Sequence, residues 1–121
     1  MAKILVTDDS LFLRTNLSNI LKEAGYEVCE AKDGKDMLVQ YEKEKPDLVT
    51  LDITMPELDG RGALRALKEK YPKAKVIMCS AMGQREMVLD AIKDGAYDFI
   101  VKPFEKSKVL DSVKKTLAMN I

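Results

Sequence analysis

The amino-acid sequence predicts one α/β domain on a parallel five-stranded sheet, (βα)5 in plan, and three observations predict it. Five short apolar runs alternate with five helical patterns along the 121 residues, the signature of parallel strands joined by helical crossovers. Three of those runs are nearly unbroken Ile, Leu, Val and Met, as strands covered on both faces are. Pro46, Pro56, Pro72 and Pro103 all fall in the expected connections, where residues that interrupt regular structure belong.

Strand 1 is expected over Lys3–Thr7, around the run Ile4 to Val6. Leu13, Leu17, Ile20, Leu21 and Ala24 then recur at helical spacing until Gly25 stops the helix. Strand 2 is expected over Tyr26–Glu30, strand 3 over Leu48–Leu51, strand 4 over Val76–Ser80 and strand 5 over Tyr97–Val101. In the last helix Val109, Leu110, Val113 and Leu117 form the apolar face, and Lys114 and Lys115 suit the negative end of its dipole. No linker, repeat or low-complexity segment interrupts the pattern, so residues 1–121 are expected to form a single domain.

Five parallel strands with right-handed crossovers have few sensible arrangements. The flavodoxin-like doubly wound order 2-1-3-4-5, a known arrangement rather than one the residues force, puts the apolar strands 1, 3 and 4 inside and the more polar 2 and 5 at the edges. In such sheets ligands bind beyond the carboxyl ends of the strands, at the switch between strands 1 and 3.

Composition narrows the function. Twenty basic and twenty acidic residues cancel, so the electrostatic footprint of a nucleic-acid binder is missing. The longest apolar runs are far too short to span a bilayer, and the N-terminus lacks the apolar stretch of a signal peptide; a cytoplasmic protein with no membrane contact is expected. Cys29 and Cys79 fall in strands 2 and 4, three strand spacings or roughly 14 Å apart, beyond the ~7 Å a disulfide tolerates, so both are expected to be free, buried thiols. Histidine is absent, which removes the commonest general base.

The carboxyl ends of the strands carry the chemistry. Strand 1 runs into Asp8 and Asp9, strand 3 into Asp52, strand 4 ends in Ser80, and strand 5 is followed by Lys102 and Pro103. Taken singly, each has an ordinary explanation: Asp9 or Ser10 could cap the first helix, Asp52 could sit in a solvated loop, and Lys102 could be a surface lysine. Together they bring three acids, a hydroxyl and a lysine to one edge. Carboxylates that close repel one another unless a cation joins them. Lys102 supplies one charge, and a hard divalent ion such as Mg²⁺ would supply two more. An X-Pro bond can be cis, which could direct the lysine into the site.

These segments resemble those of the response-regulator receiver family of two-component signalling. Val6-Thr7-Asp8-Asp9-Ser10 resembles its acidic pair, and Asp52 to Gly60 resembles its phosphorylation-site segment. Ser80-Ala81 matches the switch hydroxyl and its small neighbour, and Phe99-Ile-Val-Lys-Pro-Phe104 the switch aromatic, the lysine and its cis-proline. Thr54–Glu57 and Cys79–Gln84 look most like stand-alone chemotaxis receivers of the CheY type.

The resemblance implies that Asp52 accepts a phosphoryl group from a histidine kinase. Mg²⁺, with Mn²⁺ as an alternative, would be held by Asp9, Asp52 and the Thr54 backbone carbonyl, with Asp8 reaching it through water. Lys102 and Ser80 would contact the phosphoryl oxygens. Ser80 moving inward would leave space for Phe99 and remodel the face of helix 4, strand 5 and helix 5. With no output domain expected to follow, a partner would read that face: a flagellar motor switch protein, or, if the chain is a phosphorelay carrier, a histidine phosphotransferase. A monomer is implied, with self-phosphorylation and autodephosphorylation but no turnover of a separate substrate, and a partner phosphatase could shorten the signal. Thr54 and Met82 stand where family members often carry longer polar side chains, and Met82 is expected to shield the phosphoryl group from water.

Three other readings are weaker. A flavin carrier would need a hydroxyl- and glycine-rich loop after strand 1, where Asp8 and Asp9 stand. A Mg²⁺ phosphatase with an aspartyl nucleophile would carry a second acid where Thr54 stands. A degenerate receiver would lack site residues that are all present.

Overall fold

The computed structural model describes residues 1–55 and 58–119. The chain runs β1 (Lys3–Thr7), α1 (Leu11–Glu23), β2 (Glu27–Ala31), α2 (Gly34–Glu44), β3 (Leu48–Asp52), α3 (Gly60–Lys70), β4 (Val76–Ser80), α4 (Arg85–Lys93), β5 (Asp98–Val101) and α5 (Lys106–Leu117). The five strands form one parallel sheet in the order β2-β1-β3-β4-β5, the flavodoxin-like arrangement expected. Pro46, Pro72 and Pro103 lie in connections as expected, whereas Pro56 and Glu57 fall outside the described residues.

Strand parity explains the unbroken apolar runs. Ile4 and Val6 of β1, Leu48 of β3, Ile77 and Cys79 of β4 and Ile100 of β5 pack with Leu17 and Leu21 of α1 and Val109 and Val113 of α5. Their alternates, including Leu5, Val49, Leu51 and Met78, pack on the other face with Met37 of α2, Leu64 and Leu67 of α3 and Val88 of α4. Successive side chains of a strand point to opposite faces, so a strand with helices on both sides needs apolar residues at every position. The edge strands β2 and β5 are only partly covered.

Local signals set the boundaries. Ser10 caps α1, its hydroxyl accepting from the Leu13 N–H. At the other end the Gly25 N–H donates to the Lys22 carbonyl and the Tyr26 N–H to that of Leu21, with Gly25 at φ 96°, a Schellman exit that favours glycine. That exit uses Tyr26, so β2 begins at Glu27, one residue later than expected, and extends to Ala31, which pairs with Thr7. β3 extends to Asp52, which pairs with Cys79, and β5 starts one residue late, at Asp98. Both cysteines are free. Cys79 is buried, but Cys29 is only half-buried, a correction that follows from its place on an edge strand.

Candidate functional site

The sheet assembles the acidic cluster from neighbouring strands. Thr7 lies beside Leu51 in the register of β1 and β3, so Asp8 and Asp9 leave the sheet next to Asp52. A carboxylate oxygen from each of the three lies within 4.8 Å of the others. Asp52 is 4% exposed and Asp8 is equally buried, while Asp9 is exposed. Lys102 reaches across from beyond β5, its Nζ 2.9 Å from Asp52 Oδ1 and 3.1 Å from Asp8 Oδ2. The Lys102–Pro103 bond is cis.

The electrostatics are unbalanced. Burial pushes the Asp52 carboxyl up to about 6, against the opposing hydrogen bond and charge of Lys102, and the charges of Asp8 and Asp9 push the same way as burial. Burial alone would lower Lys102, but its hydrogen bond to Asp52 and the charges of Asp52 and Asp8 outweigh that and raise it. One ammonium against three carboxylates leaves two negative charges, and the donors are all hard oxygens. That set fits a divalent cation of the Mg²⁺ kind.

Backbone close approach fixes the surroundings. A side chain on Gly60 would run into the Asp52 carbonyl oxygen and come within 2.6 Å of Ile53 Cα, and the Gly60 N–H donates to the Ile53 carbonyl at 2.7 Å. Glycine lets α3 begin directly against the end of β3. Ser80 lies one residue beyond Cys79, the partner of Asp52, and is buried. Its carbonyl accepts from the Lys102 N–H at 2.7 Å, which ties β4 to the lysine.

Phe99, 45% exposed, and Val101 lie on the open side of β5. With Met82, Lys102, Val109 and Lys108 they line a groove of about 670 Å³. Met82 is 84% exposed, so it does not pack on its own loop. Thr54, two residues past Asp52, is exposed. The structure thus brings Asp8, Asp9, Asp52 and Lys102 into one cluster, with Ser80 at its border and Phe99 on the groove beside it.

Two residues of this neighbourhood escaped the sequence reading. Arg14, on the buried flank of α1, donates through an Nη to the Asp8 carbonyl at 2.8 Å and through Nε to Glu30 at 2.9 Å. Gln84, at the start of α4, accepts from the Ala81 N–H at 2.7 Å. The helical position of Arg14, three before Leu17, was the available signal for the first; the second had none beyond its place in Cys79–Gln84.

Comparison with known proteins agrees with this arrangement. The family described as "Response regulator receiver domain" matches residues 4–114. The chain is 55% identical to the chemotaxis protein CheY of Listeria monocytogenes over 95% of this chain and 98% of that protein. It is 51% identical to the chemotaxis protein CheY of Bacillus subtilis over 95% and 97%. Among solved structures, the receiver domain of NtrX from Brucella abortus superposes with a TM-score of 0.94 at 35% identity, covering 97% of this chain and 99% of that one.

Proposed function

The chain belongs to the response regulator receiver domain family, and from that premise we propose that it signals by accepting a phosphoryl group on Asp52. It is a CheY-like response regulator, and proteins of that kind are signalling switches rather than turnover enzymes. The observation that carries the proposal is Asp52 itself: a buried carboxylate with Lys102 on one oxygen and two further carboxylates beside it.

In the proposed transfer, an Asp52 carboxylate oxygen attacks the phosphorus of a phosphohistidine on a partner kinase. A P–O bond forms and the P–N bond breaks, its electron pair leaving on the imidazole nitrogen. Such transfer is mainly positioning and charge neutralisation along an in-line path. Lys102, already on Asp52 Oδ1, neutralises one phosphoryl oxygen, and the Ser80 hydroxyl donates to another. Asp9, Asp52 and the Thr54 carbonyl would hold Mg²⁺, with Asp8 acting through water. When bound, the ion supplies the positive charge the cluster lacks and orients the phosphoryl oxygens.

The phosphoryl group adds up to ~2 negative charges beside Ser80. Movement of Ser80 toward it shifts a two-state equilibrium in which exposed Phe99 turns inward. That remodels the face formed by α4, β5 and α5, where an output partner docks. The identity to chemotaxis proteins favours a flagellar motor switch protein as that partner.

The test is incubation with acetyl phosphate and Mg²⁺ followed by intact-mass measurement. The wild type should gain one phosphoryl group and Asp52→Asn none. Equal labelling of the two would remove Asp52 from the role.

A further inference from the structure

Asp8 is held at every polar atom. Its N–H donates to the Ala31 carbonyl at 3.2 Å, its Oδ1 accepts from the Ser10 N–H at 2.9 Å, and its Oδ2 meets Lys102. Its carbonyl, the remaining atom, accepts from Arg14. That carbonyl belongs to the peptide joining Asp8 to Asp9, so whatever holds it sets the plane from which Asp9 departs. Asp9 is exposed, yet it offers an oxygen within 4.8 Å of Asp8 and Asp52.

We propose that Arg14 is a positioning residue for the cation site: its guanidinium, braced by Glu30, fixes the Asp8–Asp9 peptide and so presents the Asp9 carboxylate to Asp52. The side chain is only 15% exposed and pairs with Glu30 on β2, which makes the fork a rigid strut between α1, β2 and the end of β1. A planar guanidinium can hold two acceptors at once, which an ammonium on a flexible stem does poorly. Glu30 also cancels the arginine's charge, so the strut acts through geometry. Partners beyond the ligands themselves commonly tune metal affinity in this way.

This inference rests on the cation reading of the proposed function, and the sign of one measurement separates geometry from charge. Arg14→Ala removes a cation near an acidic site, so charge alone would make Mg²⁺ bind more tightly. Lost positioning would make it bind more weakly, by about tenfold. Mg²⁺ affinity would be measured by calorimetric titration of wild type, Arg14→Ala, Arg14→Gln and Arg14→Lys, each well below its melting temperature. Lys3→Ala, which breaks the Lys3–Glu44 pair at the amino ends of the strands, controls for lost stability and should leave affinity within twofold. Weaker binding in all three Arg14 variants supports the strut, and Arg14→Gln and Arg14→Lys carry the test if the alanine variant does not fold. Unchanged or tighter binding, or wild-type affinity in Arg14→Lys, overturns it while the cation reading stands. A wild type that binds no Mg²⁺ overturns both.

Discussion

The two ends of the sheet use charge in opposite ways. At the amino ends of the strands, the Lys3 N–H donates to Asp47 and its Nζ to Glu44. Lys75 Nζ donates to the Leu117 carbonyl at the end of α5, and Lys68 Nζ to the Ala74 carbonyl and the Tyr97 hydroxyl. Each cation there meets a carboxylate or a helix or loop carbonyl, partly in solvent. At the carboxyl ends, Asp8 and Asp52 share one lysine with Asp9 close beside them, and two of the three acids are buried. The first arrangement supports the fold. The second opposes it, and a protein retains such an arrangement where a ligand completes it.

The largest effect expected from this contrast is the response to a divalent cation. Mg²⁺ at a hundred times its dissociation constant should stabilise the wild type by about 2.7 kcal/mol over a matched concentration of NaCl. Asp9→Ala should show no such gain. Identical melting of the wild type in the two salts would argue against a cation at the carboxyl ends.

A smaller effect is expected at the opposite end. Lys75→Met removes a charge-assisted hydrogen bond to the Leu117 carbonyl at the end of α5 and should cost about 1–2 kcal/mol of unfolding free energy. Phosphorylation by acetyl phosphate should be unchanged, because nothing at that end touches Asp52. A loss of labelling in the folded variant would mean that the two ends are not independent.

The smallest effect concerns Met82, which lines the groove beside the site. Met82→Glu exchanges an apolar side chain, expected to shield the phosphoryl group, for one able to orient water. The acyl-phosphate lifetime should shorten severalfold, about 1 kcal/mol in barrier height, with little change in stability since the side chain is exposed. A lifetime unchanged or lengthened would shift attention to Thr54.

Much of this was legible in the sequence because it lay in periodicity and in strand ends. The continuous apolar runs of β1, β3 and β4 announced strands covered on both faces, and the residues at the ends of β1, β3 and β5 named the acidic cluster and Lys102. The misplaced start of β2 came from Tyr26, whose side chain suits a strand but whose N–H closes the exit of α1. Cys29 was expected to be buried although its strand was placed at the edge of the sheet, and an edge strand, with only one neighbour, leaves it half-buried. Arg14 was missed for a different reason. A long side chain reaching a carbonyl six residues back leaves no periodic trace, and only the three-dimensional arrangement of α1, β2 and the end of β1 brings its partners together.

The central claim is that burial, together with crowded charge, strains the carboxyl ends, with Asp52 bearing the strain. Its carboxyl stands at about 6 in the fold against 3.8 in an open chain. The folded protein therefore holds the Asp52 proton more tightly than the unfolded chain does. The resulting stability is full below about pH 4 and is lost as pH rises through 6. The direct measurement is the unfolding free energy of metal-free wild type and Asp52→Asn across pH 4 to 7, taken as a difference so that the other carboxylates cancel. Asp52→Asn should gain on the wild type by on the order of 2–3 kcal/mol as pH rises over that range. A wild type that gains on Asp52→Asn instead would mean that Lys102 more than offsets the burial and crowding of Asp52, and would contradict the account.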